Sequence, residues 1–108
     1  MSGPIVEDVS LADLKKGLAD GSILLVDVRE QIEWDAGHIP GAVFNPLSIF
    51  DPAALPPAAP GKRVVLHCRS GRRSIDALDA AQKFGREDVR AHFGGGMLDW
   101  VGAGEPVE

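Results

Sequence analysis

The residues of this chain best suited to chemistry lie together in His67-Cys68-Arg69-Ser70-Gly71-Arg72-Arg73-Ser74, where the only cysteine is followed within five residues by three arginines and a glycine. The stretch comes after the apolar run Val64-Val65-Leu66 and leads into a helix-like segment, so it reads as strand, loop and helix start. Cys68 therefore falls at the carboxyl end of a strand, where open α/β sheets place their ligands. A loop that curls back there aims its backbone N–H groups at the sulfur, and the positive end of the following helix adds to them. Both favour a thiolate and bound anions. The competing reading is a buried small hydrophobe, the ordinary state of a free cysteine. Cationic and turn-forming neighbours argue against such a site, and the reading is an activated nucleophile.

Other polar residues near this stretch have plainer readings. His67 precedes the nucleophile along the strand, so its side chain points to the other face and is packed rather than a proton carrier. Ser74 is placed to cap the helix that follows. Asp27 and Arg29 end another strand and reach the same rim, where a structural ion pair is the simpler role. His38 sits among turn-forming residues, and no second histidine or cysteine joins Glu33 and Asp35 beside it, so no metal site is expected.

The elements that must position these residues alternate along the chain. Pro4 to Asp8 holds a short extended segment, and Ser10 with Asp13 marks the start of a helix from Leu11 to about Ala19, with Leu11, Leu14 and Leu18 on one face. The run Ile23 to Val28 is nearly all apolar, which suits a central parallel strand covered on both sides. Gln31 to Ala36 reads as a short helix ended by Gly37, and Gly41 to Asn45 as a short strand stopped by Pro46. Residues 51 to 61 carry four of the eight prolines and form an irregular surface connection. The spacing predicts a helix over Ile75 to Phe84, a strand over Val89 to Phe93, a flexible turn at Gly94-Gly95-Gly96 and a last helical piece from Met97 to Val101. The tail from Gly102 to Glu108 is expected to have little to hold it. The pattern as a whole implies an α/β fold: a mostly parallel central sheet with helices on both faces.

Composition narrows the classes. A chain of 108 residues fits a single domain, 1–108, with a core from about residue 5 to about residue 102. Its 44% apolar and 25% charged residues are those of a soluble globular protein. A formal net charge of −5 argues against nucleic acid or an acidic membrane surface as partner, which makes the arginine cluster a local exception. One cysteine cannot form an internal disulfide, and no apolar run has the length of a membrane span or signal core, so a reducing cytoplasm is the expected location.

Several segments, in this order, resemble the rhodanese family in its small single-domain form: Asp27-Val28-Arg29-Glu30, Glu33-Trp34, Gly37-His38-Ile39-Pro40-Gly41-Ala42, the Cys68 loop, and Gly95-Gly96-Met97 followed by Trp100. Each is weak alone. Their order and spacing carry the resemblance, which covers nearly the whole chain and agrees with the sheet inferred above. It implies a sulfurtransferase in which Cys68 takes a sulfane sulfur from a donor such as thiosulfate, holds it as a persulfide, and passes it to cyanide or a thiol, including a thiol on a small protein. In that scheme Arg69, Ser70, Gly71, Arg72, Arg73 and Ser74 bind substrate. Backbone donors cradle the persulfide, the arginines attract thiosulfate and stabilise departing sulfite, and Gly71 lets the backbone turn inward. No cofactor or metal is implied, and the oligomeric state is open.

Two alternatives remain at this level. One is a phosphatase or arsenate reductase on a related loop. Phosphatases of that kind need cysteine, five residues and then arginine, whereas here that position is Ser74 and Arg73 comes one residue early. The other is a non-catalytic domain that binds protein partners, which would be expected to lack the nucleophile that this chain keeps.

Overall fold

Local signals start and stop most elements where the sequence places them. The structure, a computed structural model, describes residues 3–108. After strand β1 (Glu7–Asp8), the Ser10 hydroxyl accepts from the Asp13 N–H at 3.1 Å and opens helix α1 (Leu11–Asp20). Strand β2 (Ile23–Asp27), helix α2 (Gln31–Ala36) and strand β3 (Val43–Phe44) follow. The proline-rich connection contributes only the short 3-10 turn Pro52–Ala54, preceded by another at Leu47–Ile49. Strand β4 (Arg63–His67), helix α3 (Arg72–Phe84), strand β5 (Ala91–Phe93) and helix α4 (Gly96–Gly102) complete the chain.

The five strands form one all-parallel sheet in the order β1-β5-β4-β2-β3. The centre is thus β4, the strand that delivers Cys68, while β2 is its inner neighbour and not the middle strand expected for it. Parallel pairing brings the carboxyl ends of the strands to one rim, where Asp27 is in register with His67 and His67 with Phe93.

Both faces of the sheet are covered, as an all-parallel sheet requires. On one side Val26, Val28, Val64, Leu66 and Cys68 meet Ala77, Leu78 and Ala81 of α3. On the other, Leu25, Val65, Ala91 and Phe93 meet Leu14 of α1 with Met97 and Trp100 of α4. Burial of each large aliphatic side chain contributes about 1.5–3 kcal/mol, and these two layers hold the central strand rigid. Among the described residues no helix is long and apolar enough to cross a membrane.

Four further expectations need correction. Helix α3 begins at Arg72, three residues early, because Gly71 adopts φ 96° and turns the chain before the loop runs further. Ser74 consequently lies in the first turn of the helix and does not cap it; its hydroxyl is used elsewhere. The glycine triplet is no flexible turn either: Gly96 starts α4 at φ 61°, and a Cβ there would stand 2.4 Å from the Arg69 carbonyl oxygen. Nor is the tail loose. Glu108 exchanges two backbone hydrogen bonds with His38 (3.0 and 2.9 Å), and the Trp100 indole N–H donates to the Pro106 carbonyl at 2.8 Å.

Candidate active site

Alternation along β4 decides which way the thiol points. Val64, Leu66 and Cys68 share the α3 face, and His67 faces the opposite layer toward Asp27. The chain leaves the sheet after His67 and re-enters helical geometry at Arg72, which wraps the intervening loop around the sulfur. The Gly71 N–H donates to Cys68 Sγ at 3.2 Å and the Ser74 N–H at 3.4 Å, so one donor belongs to the loop and one to the open first turn of α3. The Ser74 hydroxyl oxygen lies 3.6 Å from the same sulfur.

What turns the N–H groups inward is a set of contacts behind the loop. The first N–H groups of α4 donate outward-facing bonds, Met97 to the Cys68 carbonyl at 3.0 Å and Leu98 to the Arg69 carbonyl at 3.1 Å. The His67 ring nitrogen Nδ1 holds the Cys68 carbonyl as well, at 3.1 Å. With its carbonyls tied down on one side, the loop presents N–H groups on the other. Close approach is possible only without side chains at two places: a Cβ on Gly71 would stand 2.6 Å from the Gly94 carbonyl oxygen, and the Gly96 clash is tighter still.

The thiol is buried, at 1% exposure, so core burial and polar neighbours coexist at Cys68 rather than exclude one another. Burial alone pushes a thiol up, and it is the largest single influence here. The Ser74 hydroxyl and the N–H groups of Ser74, Ser70 and Gly71 together outweigh it and hold Cys68 below the ordinary thiol value.

The loop residues divide by environment. Arg69, Ser70 and Arg72 are exposed, and among the described residues Arg69 and Arg72 form no ion pair. Arg73 instead makes a two-pronged pair with Glu33 of α2, at 2.6 and 2.8 Å, which pulls the Glu33 carboxyl down to about 2. Its charge is already matched. Asp27 and Arg29 form a buried pair at 2.8 Å, and Arg29 also donates to the Gly37 carbonyl, so this pair ties the rim to the end of α2. His38 stacks on Trp34 at 3.7 Å. His67 is fully buried, and burial lowers its pKa against the pull of Asp27. Beside the loop lies a groove of about 520 Å³, lined by Arg29, Glu33, Arg69, Met97, Leu98 and Val107 among others.

Two participants escaped sequence reading. Glu33 lies forty residues from Arg73 and looked like part of a short helix. His92, near the end of β5, is 5% exposed and its Nδ1 stands 2.7 Å from the Ser74 hydroxyl oxygen. A histidine at the carboxyl end of a parallel strand was the available signal for it.

Comparison with known proteins fits this geometry. A family model described as a rhodanese-like domain matches residues 10–103. An uncharacterised protein of Synechocystis is 44% identical over 86 residues, which are 80% of this chain and 47% of that protein. The human thiosulfate:glutathione sulfurtransferase is 32% identical, with 86% of this chain and 91% of the relative covered. Among solved structures, a human single-domain sulfurtransferase matches with a TM-score of 0.73 at 31% identity, covering 88% of this chain and 95% of that one. The chain spans 47% or less of the length of several curated relatives. With the family model matching residues 10–103 of the 108 and the fold shared, the chain belongs to the rhodanese-like domain family.

Proposed function

We propose that this protein is a sulfurtransferase that moves a sulfane sulfur from thiosulfate to a thiol or cyanide through a persulfide on Cys68. The observation that carries the reading is the convergence of the Gly71 and Ser74 N–H groups on Cys68 Sγ, in a loop whose exposed side chains include two arginines, Arg69 and Arg72, without ion-pair partners among the described residues. The human relative, a thiosulfate:glutathione sulfurtransferase, supports thiosulfate as donor class and a thiol as acceptor class.

In the first half-reaction the thiolate attacks the outer sulfur of thiosulfate. A sulfur–sulfur bond forms to Cys68, the bond to the sulfonate sulfur breaks, and sulfite leaves with the electron pair. Negative charge moves from Sγ to the added sulfur, still within reach of the loop's N–H groups. Arg69 and Arg72 attract the dianionic donor and stabilise departing sulfite, while Arg73, paired with Glu33, braces the loop. In the second half-reaction an acceptor thiolate or cyanide attacks the outer sulfur, and the Cys68 thiolate returns as leaving group. A compartment rich in reducing thiols, such as the cytoplasm, suits this cycle.

The test is intact-protein mass spectrometry of the reduced protein after excess thiosulfate without acceptor. One added sulfur atom, mapped to Cys68 and removed by cyanide, is the expected result. An aryl phosphate run in parallel separates the alternatives. Unchanged mass together with phosphate-ester hydrolysis overturns the proposal, because the loop from Cys68 to Arg73 would then be accepting a tetrahedral phosphoryl group.

A further inference from the structure

The Ser74 hydroxyl is a bridge. Fully buried, it stands 3.6 Å from Cys68 Sγ and 2.7 Å from His92 Nδ1, with no other side-chain partner among the described residues. A hydroxyl has one proton to give, so it donates to the sulfur or to the ring, never to both. The other face of the ring looks toward Asp8 at the end of β1, with His92 Nε2 3.8 Å from the Asp8 carboxylate, which is itself held by the Gly94 N–H at 2.8 Å. In the sheet His92 is in register with Leu66 of β4, an apolar neighbour two residues before the nucleophile. The charged or titratable groups facing the ring are therefore Asp8 from β1 and, through Ser74 of α3, Cys68 of the loop.

We infer that His92 is a positioning residue that acts on Cys68 through Ser74, taking up the thiol proton when the thiolate forms. The inference rests on Cys68 being the nucleophile proposed above.

Two arrangements of the same atoms describe it. With the thiol protonated, Sγ–H donates to Ser74 Oγ, and the Ser74 hydroxyl donates to unprotonated Nδ1 of His92. When the proton moves, the S–H bond and the original Ser74 O–H bond break, a new O–H bond forms on Ser74, and an N–H bond forms on Nδ1. Charge is conserved: the pair becomes a thiolate and an imidazolium. Now Nδ1–H donates to Ser74 Oγ, whose hydroxyl donates to the sulfur anion and joins the Gly71 and Ser74 N–H groups there. Asp8, close to Nε2, offsets the imidazolium charge. Burial lowers the His92 pKa against the pull of Asp8, which leaves Nδ1 unprotonated to accept from Ser74 in the first arrangement; in the second, Asp8 and the thiolate favour the imidazolium against that burial. Attack by the thiolate on a sulfur donor leaves the proton on His92, from which it passes to solvent.

The experiment measures the rate of Cys68 alkylation by iodoacetamide against pH in the wild type, His92→Asn, Ser74→Ala and the double variant, with thermal melting to establish folding. Asparagine keeps an acceptor for the Ser74 hydroxyl but cannot hold the proton. We expect His92→Asn to raise the midpoint of the alkylation profile by about one pH unit and to slow alkylation at pH 6 roughly tenfold, as loss of an imidazolium partner should. In the Ser74→Ala background the same substitution should change nothing further, since the path is already cut. A folded His92→Asn protein with the wild-type profile overturns the inference, and so does a His92→Asn effect that persists undiminished without the Ser74 hydroxyl. Should the asparagine variant fail to fold, the His92 ring is titrated by NMR in the wild type before and after Cys68 is blocked with iodoacetamide. Blocking should lower the titration midpoint of the ring, because a neutral thioether replaces the thiolate, and an unchanged midpoint overturns the inference. Alkylation needs no sulfur donor. A relay that responds as described in a protein that forms no persulfide would therefore leave the inference standing and remove the sulfur-transfer proposal alone.

Discussion

Cys68 lives under two opposed demands. It sits at 1% exposure in the core layer beneath α3, which favours the neutral thiol, yet the hydroxyl and N–H groups of Ser74, Ser70 and Gly71 favour the thiolate more strongly. The balance exists because the groups that stabilise charge are fixed in place before the charge appears. Serine at this position has nearly the same shape and accepts the same N–H bonds, but it is a far weaker nucleophile. We expect Cys68→Ser to lower sulfur transfer by roughly a thousandfold or more, while changing stability by no more than about 1 kcal/mol. Turnover with thiosulfate and a urea unfolding curve check the two halves separately. Substantial turnover in the serine variant would remove Cys68 from the mechanism.

At the scale of elements, the loop depends on helices that meet it from outside. Glu33 serves two of them: its side chain accepts from the Glu30 N–H at 3.1 Å to close the capping box of α2, and it grips Arg73 in the first turn of α3. Since the folded carboxyl is drawn from its ordinary 4.5 to about 2, the ionised form stabilises the fold. That contribution is fully present above the unfolded value near 4.5 and is lost as pH falls toward about 2. We expect Glu33→Gln, which keeps the capping oxygen but removes the charge, to be less stable than the wild type by about 1 kcal/mol at pH 7. The difference between the two proteins should shrink through the acid range and vanish near pH 2, as read from denaturant midpoints at each pH. A difference that stays constant down to pH 2 would mean that the ion pair contributes no net stability. Arg73 was legible in the sequence as a loop cation, but its partner was not: pairing across forty residues depends on how α2 docks beside α3.

Across the whole molecule, the rim is closed by the end of the chain. Glu108 pairs with His38, Lys15 of α1 holds Glu105 at 3.1 Å, and the indole of Trp100, itself 4% exposed, is satisfied by Pro106. Removing residues 105–108 would leave that buried indole N–H without its acceptor and strip Val107 from the wall of the groove. We expect the truncated protein to lose about 1–3 kcal/mol of stability and to keep its sheet. Circular dichroism with urea titration measures both. An unchanged midpoint would show that the tail contacts contribute nothing to the native state.

The amino-acid sequence by itself determined what is local. Apolar runs set β2 and β4, helical spacing set α1 and the body of α3, prolines set the irregular connection, and the lone cysteine among turn-forming and cationic residues marked the loop. These features follow from propensities and periodicities that act over a few residues. Only the tertiary structure decided which strand is central, which carbonyls α4 ties down behind the loop, and which residues lie against the sulfur's neighbours. Gly96 looked flexible and the tail loose because nothing near them in sequence needed them. His92 looked like one more residue of a short strand until the register β5–β4 set it beside Leu66 and the first turn of α3 brought Ser74 against its ring. Such contacts depend on sheet order and on the docking of segments far apart in the chain, and no periodicity within either segment encodes them.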